Sequence, residues 1–230
     1  MKRLRLPRAI LFGALAIGVL LFGVTVASAD HSWNNYHFPS YNLSPTVVDN
    51  TSSSLYDVPA AVAEWSGLGT NIQPEITTAS KGDITVKEGF SPFWLGQARV
   101  FLDGGHITKA EVKLNTRLLN RYDDAAAVAD HVLCQELGHV LGLDHNRDGA
   151  TGGSPDDTCM NDQTTIGSYT SPNSHDTAQL DLIYDGHADL DPDDGGDTGG
   201  GGNCPPGNPN HKNCQNATGR WIVVHVFPIP

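Results

Sequence analysis

Apolar residues at helical spacing predict three helices. Residues 58–65 follow Asp57, a typical N-cap residue, and precede Gly67, a typical helix terminator. A second helix is predicted over residues 125–143, where one face carries an apolar stripe of Leu133, Leu137, Val140 and Leu141. A third helix is predicted after residues 175–176, and its inward residues are expected to be Ala178, Leu182 and Ile183.

Strand-forming residues fill the region between the first two helices. Residues 72–118 are rich in β-branched and aromatic side chains, interrupted by glycine. Apolar and polar residues alternate most clearly from Ala110 to Leu114. The segments that suit strands are residues 76–79, 83–86, 98–102 and 110–115. A strand-rich middle flanked by helices predicts an α+β fold.

The first 29 residues have the pattern of a secretory signal peptide. A basic start precedes an apolar stretch from Ala9 to Ala27, and the segment ends on the small residues Ala27-Ser28-Ala29. The apolar stretch approaches the length of about 20 residues that a membrane-spanning helix needs, so an uncleaved anchor is the alternative. We therefore expect a secreted, extracellular protein, or one that this segment anchors to a membrane.

The rest of the chain divides by composition. Residues 30–187 have the composition of one globular domain. Residues 188–203 are mostly aspartate and glycine, which predicts a flexible linker. Residues 204–230 hold a proline-rich cysteine loop and an apolar run from Trp221 to Phe227. This short end has room for one strand or a sorting tag.

The charge of the mature chain is strongly negative. Removing the first 29 residues takes away four of the 14 basic residues and none of the 26 acidic ones, which leaves a net charge of −16 (10 − 26). Such a surface repels phosphate groups, so we expect no nucleic-acid partner. Thirteen aspartates lie from Asp144 to Asp197, and Ca²⁺ binding is one interpretation of them. The other is a solvated acidic surface, because no segment has the spacing of a known calcium loop.

Four cysteines in an exported chain predict two disulfides. Proximity along the sequence favours Cys134 with Cys159 and Cys204 with Cys214. The alternative is that Cys134 binds a metal, but it lies about 140° around the predicted helix from His139. A disulfide at Cys134 is therefore the favoured interpretation.

Residues 135–145 read Gln-Glu-Leu-Gly-His-Val-Leu-Gly-Leu-Asp-His. They match the zinc-binding string H-E-x-x-H-x-x-G-x-x-H at every specified position except the first, which is Gln135. Positions 135 and 139 share one face of a helix. Gly142 can end that helix and turn the chain, which would bring His145 back toward the same ion. The spacing predicts a Zn²⁺ site formed by Gln135, His139 and His145.

Glu136 is placed to act as a general base. In a site of this type, zinc polarises a peptide carbonyl and acidifies bound water, while the adjacent carboxylate takes the proton and passes it to the leaving amine. Gln135 offers an amide oxygen, which is a poorer zinc ligand than an imidazole nitrogen, so we expect weak zinc binding.

Other histidines could supply a further donor. His131 is eight residues from His139, about 12 Å along a helix, and is too far to share its ion; it is either a partner that donates to Gln135 or, as we favour, an exposed side chain. The spacing singles out none of the remaining candidates, His106, His175 and Asp144.

Residues 132–145 resemble the matrixin branch of the metzincin zinc peptidases. Residues 159–162 stand where that branch has its Met-turn, a tight turn beneath the metal, and residues 172–184 resemble the helix that follows it. The resemblance implies a small, twisted, mostly parallel sheet with an active-site helix, a Met-turn and a C-terminal helix. It also implies that Glu136 is the general base, that positions 135, 139 and 145 are the zinc-ligand positions, and that Met160 is the Met-turn residue.

The chain departs from the matrixin pattern in two places. Gln135 replaces a histidine, and no tyrosine stands two residues after Met160. No cysteine-switch propeptide is evident either. We expect a secreted zinc-dependent metalloendopeptidase that acts on a protein or peptide substrate. One alternative is a catalytically inactive metzincin-like secreted or surface binding protein, and another is a metal harder than zinc, because an oxygen replaces a nitrogen at position 135.

Overall fold

The computed structural model describes residues 31–34, 36–146, 157–161, 165–185, 214–215, 221–224 and 227–228. The predicted signal peptide, the linker at 188–203 and the pairing of Cys204 with Cys214 lie outside these residues. Among the described residues, no helix has both the length and the apolar character needed to cross a membrane.

Four helices form in the described part of the chain: α1 Val58–Ser66, α2 Thr116–Leu119, α3 Ala125–Val140 and α4 Ser174–Tyr184. The start of α1 is as predicted, because Asp57 accepts a hydrogen bond from the backbone amide of Ala60. Asp124 caps α3 in the same way. The sequence pattern missed α2, since four residues are too few to show a period.

The inward face of α4 differs from the prediction. Of the three residues expected to face the core only Ile183 does so; Leu182 is 62% exposed and Ala178 is exposed too. The hydroxyl of Tyr184 explains the rotation, because it donates to the carbonyl of Leu141 at 2.9 Å and accepts from the amide of residue 38 at 3.1 Å. With that hydroxyl tied inside, the buried face of α4 is formed by Asp176, Gln179, Leu180, Ile183 and Tyr184.

The strands are β1 Thr46–Asn50, β2 Glu75–Ile76, β3 Ile84–Glu88, β4 Trp94–Asp103, β5 His106–Leu114, β6 Cys214–Gln215, β7 Trp221–Val224 and β8 Phe227–Pro228. The sheet order is β2-β1-β3-β5-β4, continued by β7 and β6, and β8 also pairs with β4. The first three contacts in this order are parallel, whereas β4 runs antiparallel to each of its neighbours. The predicted α+β class is therefore confirmed, and the five strands β2, β1, β3, β5 and β4 form the small, mostly parallel sheet that was expected.

One predicted strand agrees with the structure, and another forms only in part. The alternation from Ala110 to Leu114 is confirmed, because residues 110, 112 and 114 are buried and the two between them are less so. The segment at residues 76–79 contributes only Ile76 to a strand, and both residues of β2 are exposed. The amide of Thr77 still donates to the carbonyl of Val47 at 2.9 Å, but without a buried face the strand does not continue further.

Helices α1 and α3 pack together, and α3 also packs on β4 and β5. The indole nitrogen of Trp65 in α1 donates to the carbonyl of Cys134 in α3 at 3.2 Å. As a result, every residue of α3 from His131 to Val140 is buried. The predicted metal-binding helix is thus a fixed central element of the core.

Candidate active site

The turn after α3 brings His139 and His145 together. Gly142 has φ +107°, and a Cβ at this position would overlap the carbonyl oxygen of Tyr36, so only glycine fits here. Beyond the turn the chain returns alongside the helix, and the rings of His139 and His145 lie 4.8 Å apart between centroids. Both side chains are buried. The predicted role of Gly142 in juxtaposing these histidines is consistent with this geometry.

The imidazole of His139 is held in one orientation. Its Nδ1 lies 2.8 Å from the carbonyl oxygen of Leu143, which can only accept, so Nδ1 carries the proton and Nε2 presents a lone pair. Trp33 packs edge-on against the same ring at 5.7 Å. A backbone carbonyl on the far nitrogen is the usual support for a metal-binding histidine.

Gln135 is buried one turn before His139. Its Nε2 donates to the backbone carbonyl of Cys159 at 2.7 Å. The amide oxygen is the only atom of this side chain that can bind a cation.

Glu136 is fully buried against β4. A Cβ at Gly96 would lie 2.7 Å from Glu136 Oε1, so the glycine makes room for the carboxylate on the strand. Burial raises the pKa of Glu136 well above its usual range, although hydrogen bonds from the backbone amides of Ala98 and Phe227 act in the opposite direction. The carboxyl group therefore has a strong affinity for a proton.

Met160 lies beneath α3. A Cβ at Gly138 would overlap its sulfur, so the close approach of helix and methionine depends on that glycine. The carbonyl of Met160 accepts from the amide of Asn146 at 2.9 Å, which ties this turn to the residue next to His145. The predicted disulfide between Cys134 and Cys159 is present, with its Cα atoms 6.0 Å apart, and it fixes the same turn to α3.

His131 is buried, and the prediction of an exposed side chain was wrong. Only 1% of its surface is exposed, and its Nδ1 accepts from the amide of Gly167 at 3.1 Å. Desolvation by burial lowers the pKa of His131 to about 4, so the ring is neutral at neutral pH. Phe227 packs edge-on against it, with 5.7 Å between centroids. The error arose because α3 is covered on this side by residues remote in sequence.

The C-terminal strands lie along the edge of β4 that faces away from β5. Strand β7 pairs with residues 99–102, and β8 pairs with Trp94 and Gly96, with Phe227 opposite Gly96. Phe227 is 6% exposed, and its amide reaches the Glu136 carboxylate as described above. An extended segment of the chain therefore occupies the groove between β4 and α3.

A second group of polar side chains lies beside the first. His31, His175 and Asp176 each offer a metal-binding atom, and these atoms lie within 4.8 Å of one another, so the group could bind a metal ion. His175 thus joins a different cluster from His139, while His106 packs edge-on against His37. The sequence motif did not indicate His31 or Asp176, because these residues are 145 positions apart in sequence and neither belongs to the string at 135–145.

No family model and no curated protein matches this chain. We therefore infer its function from the geometry of the described residues.

Proposed function

We propose that the protein is a zinc-dependent metalloendopeptidase of metzincin-like architecture. The observation that carries the proposal is the buried pair of imidazoles, His139 and His145, together with the buried carboxyl group of Glu136, which lies one turn before His139 on α3. The matrixin-like string at 135–145, the methionine turn below the helix and the following helix α4 support it. So does the sheet, in which β4 runs antiparallel to β5 and the amide of Ala98 reaches Glu136.

The donor set fits a zinc ion with two strong ligands and one weak ligand. His139 presents Nε2, and the ring of His145 lies beside it. Gln135 would contribute its amide oxygen, because its nitrogen is engaged by the carbonyl of Cys159. Zinc binds imidazole nitrogen more strongly than a neutral oxygen, so this set retains zinc less firmly than three histidines would.

Zinc bound there would polarise a substrate carbonyl and lower the pKa of water. Glu136 supplies the proton acceptor, and β4 holds its carboxylate in place through the amide of Ala98. After the peptide bond breaks, the same carboxyl group delivers its proton to the leaving amine. Burial of Glu136 excludes bulk water from competing for that proton.

A peptide is the substrate class that the groove favours. The edge of β4 that faces away from β5 pairs with extended backbone of the same chain. Main-chain pairing of this kind recognises any extended peptide. The ring of Phe227 packs against His131 in this position, which favours a bulky apolar side chain next to the cleaved bond.

The second candidate is a secreted binding protein without catalysis. The amide at position 135 favours it, since loss of zinc would leave a groove that still pairs with extended peptides. It predicts peptide binding that is independent of metal.

Metal dependence separates the two candidates. Cleavage of an unfolded protein substrate should stop after dialysis against a zinc chelator and return when zinc is added, and a His139→Ala variant should not recover. Cleavage that continues at full rate after chelation would overturn the zinc mechanism. Peptide binding without cleavage, whether or not zinc is present, would establish the second candidate instead.

A further inference from the structure

Two buried acceptor atoms face each other between the N-terminal segment and α4. His31 Nε2 and Asp176 Oδ1 are 3.7 Å apart, which is beyond hydrogen-bond distance. His31 is 4% exposed and Asp176 is fully buried. Within the described part of the chain neither atom has a hydrogen-bond partner. Buried polar atoms without a partner are rare and require an explanation.

The other atoms of both side chains are already engaged. His31 Nδ1 lies 3.0 Å from the carbonyl oxygen of Asp144, so Nδ1 carries the proton and Nε2 directs its lone pair at the carboxylate. Asp176 Oδ2 accepts from the hydroxyl of Thr158 and, at 2.8 Å, from the amide of Asn173. Two acceptor atoms therefore point at one another, and a cation placed between them would be bound by both.

The spacing suits one metal ion. Two ligand atoms on a tetrahedral zinc, each about 2.0–2.2 Å from it, lie roughly 3.3–3.6 Å apart, close to the separation observed.

His175 supplies a third donor. Its ring stacks on His31 with 4.8 Å between centroids, and its Nδ1 lies 3.3 Å from the side-chain nitrogen Nδ2 of Asn146. A bound ion lies near the plane of each ligating imidazole, so His175 must turn out of the stack to bind. It is only half-buried and has room to do so.

We propose that His31, His175 and Asp176 bind a divalent cation of the zinc class, separate from the site at His139 and His145. Two imidazoles and one carboxylate are the donors that such borderline ions prefer, and calcium would require more oxygen ligands. The ion joins the N-terminal segment to α4. That segment also pairs with the chain after α3, because the amide of Trp33 donates to the carbonyl of Gly142 at 2.7 Å. Binding therefore stabilises the turn that carries His145.

The test is zinc content at controlled free zinc, measured by equilibrium dialysis of the full mature chain. Asp176→Asn should hold one zinc fewer per chain than the wild type, since an amide is a poor zinc ligand. It should still fold, because its oxygen can accept from Thr158 and Asn173 while its nitrogen donates to His31. His175→Ala should lose the same zinc, whereas His106→Ala, which removes an imidazole outside both groups, should lose none.

Zinc content unchanged in both Asp176→Asn and His175→Ala would overturn the proposal. His139→Ala keeps the two claims apart. If His139→Ala retains all its zinc while His175→Ala loses one, the peptidase proposal fails and the second site stands. Circular dichroism of each variant shows that zinc loss does not follow from unfolding.

Discussion

In the proposed zinc site, Gln135 is the ligand that limits zinc affinity. Its nitrogen donates to the carbonyl of Cys159, and the only atom of this side chain that can bind a cation is its neutral amide oxygen. Gln135→His should raise zinc affinity by at least about tenfold, because imidazole nitrogen replaces amide oxygen. Competition with a chelating dye measures this change, and Gln73→His, at an exposed glutamine outside both proposed sites, is a control that adds a histidine elsewhere. Equal affinities for the wild type and Gln135→His would show that position 135 does not face the ion.

At the scale of single residues, the motif at 135–145 indicated which of its own residues come together. It did not indicate which other residues pack around them. The spacing from 135 to 145 correctly indicated that His139 and His145 come together, because helix geometry and one glycine determine that contact. The burial of His131 and the cluster at His31 depend on chain segments far away in sequence. Local periodicity carries no information about such contacts.

The disulfide between Cys134 and Cys159 joins α3 to the methionine turn. It closes a loop with a sequence separation of 25 residues. The chain-entropy model gives such a cross-link about 3 to 4 kcal/mol of stability. The double variant Cys134→Ala, Cys159→Ala should therefore lose about that free energy of unfolding, as measured by urea denaturation. A midpoint equal to that of the oxidised wild type would contradict this role.

Helix starts were predictable from capping residues, whereas helix faces were only partly so. Asp57 and Asp124 mark the starts of α1 and α3 through short-range hydrogen bonds. The face of α4 was misjudged, because the Tyr184 hydroxyl binds the backbone at the end of α3. A tertiary hydrogen bond of this kind overrides a weak apolar pattern, and α4 has Leu182 exposed as a result.

On the scale of the whole molecule, the C-terminal strands occupy the groove that the proposed substrate would use. Phe227 is the residue that holds β8 there, and burying a phenylalanine contributes about 2 kcal/mol. Phe227→Ala should weaken this occupancy and raise kcat/KM for peptide cleavage by roughly tenfold. Phe93→Ala, at a phenylalanine that is 77% exposed, is the matched control and should leave kcat/KM unchanged.

Hydrogen exchange of the amides in β4 gives a readout that does not depend on catalysis. Exchange should accelerate in Phe227→Ala and not in Phe93→Ala, because the pairing of β4 with β7 and β8 opens more often. If exchange is the same in both variants, Phe227 does not hold the segment in place. The sequence indicated that residues 221–227 could form a strand, but their partner follows from pairing across more than 100 residues.

The most direct measurement of the central claim is the rate of peptide-bond hydrolysis by the zinc-loaded protein beside its Glu136→Gln variant. The amide preserves the shape of the buried side chain and cannot accept the proton. A peptide library read by mass spectrometry should show cleavage by the wild type, with a rate about 10²- to 10⁴-fold lower in the variant. Equal rates in the two proteins, with both folded and equally loaded with zinc, would contradict the role of Glu136 and with it the proposed mechanism.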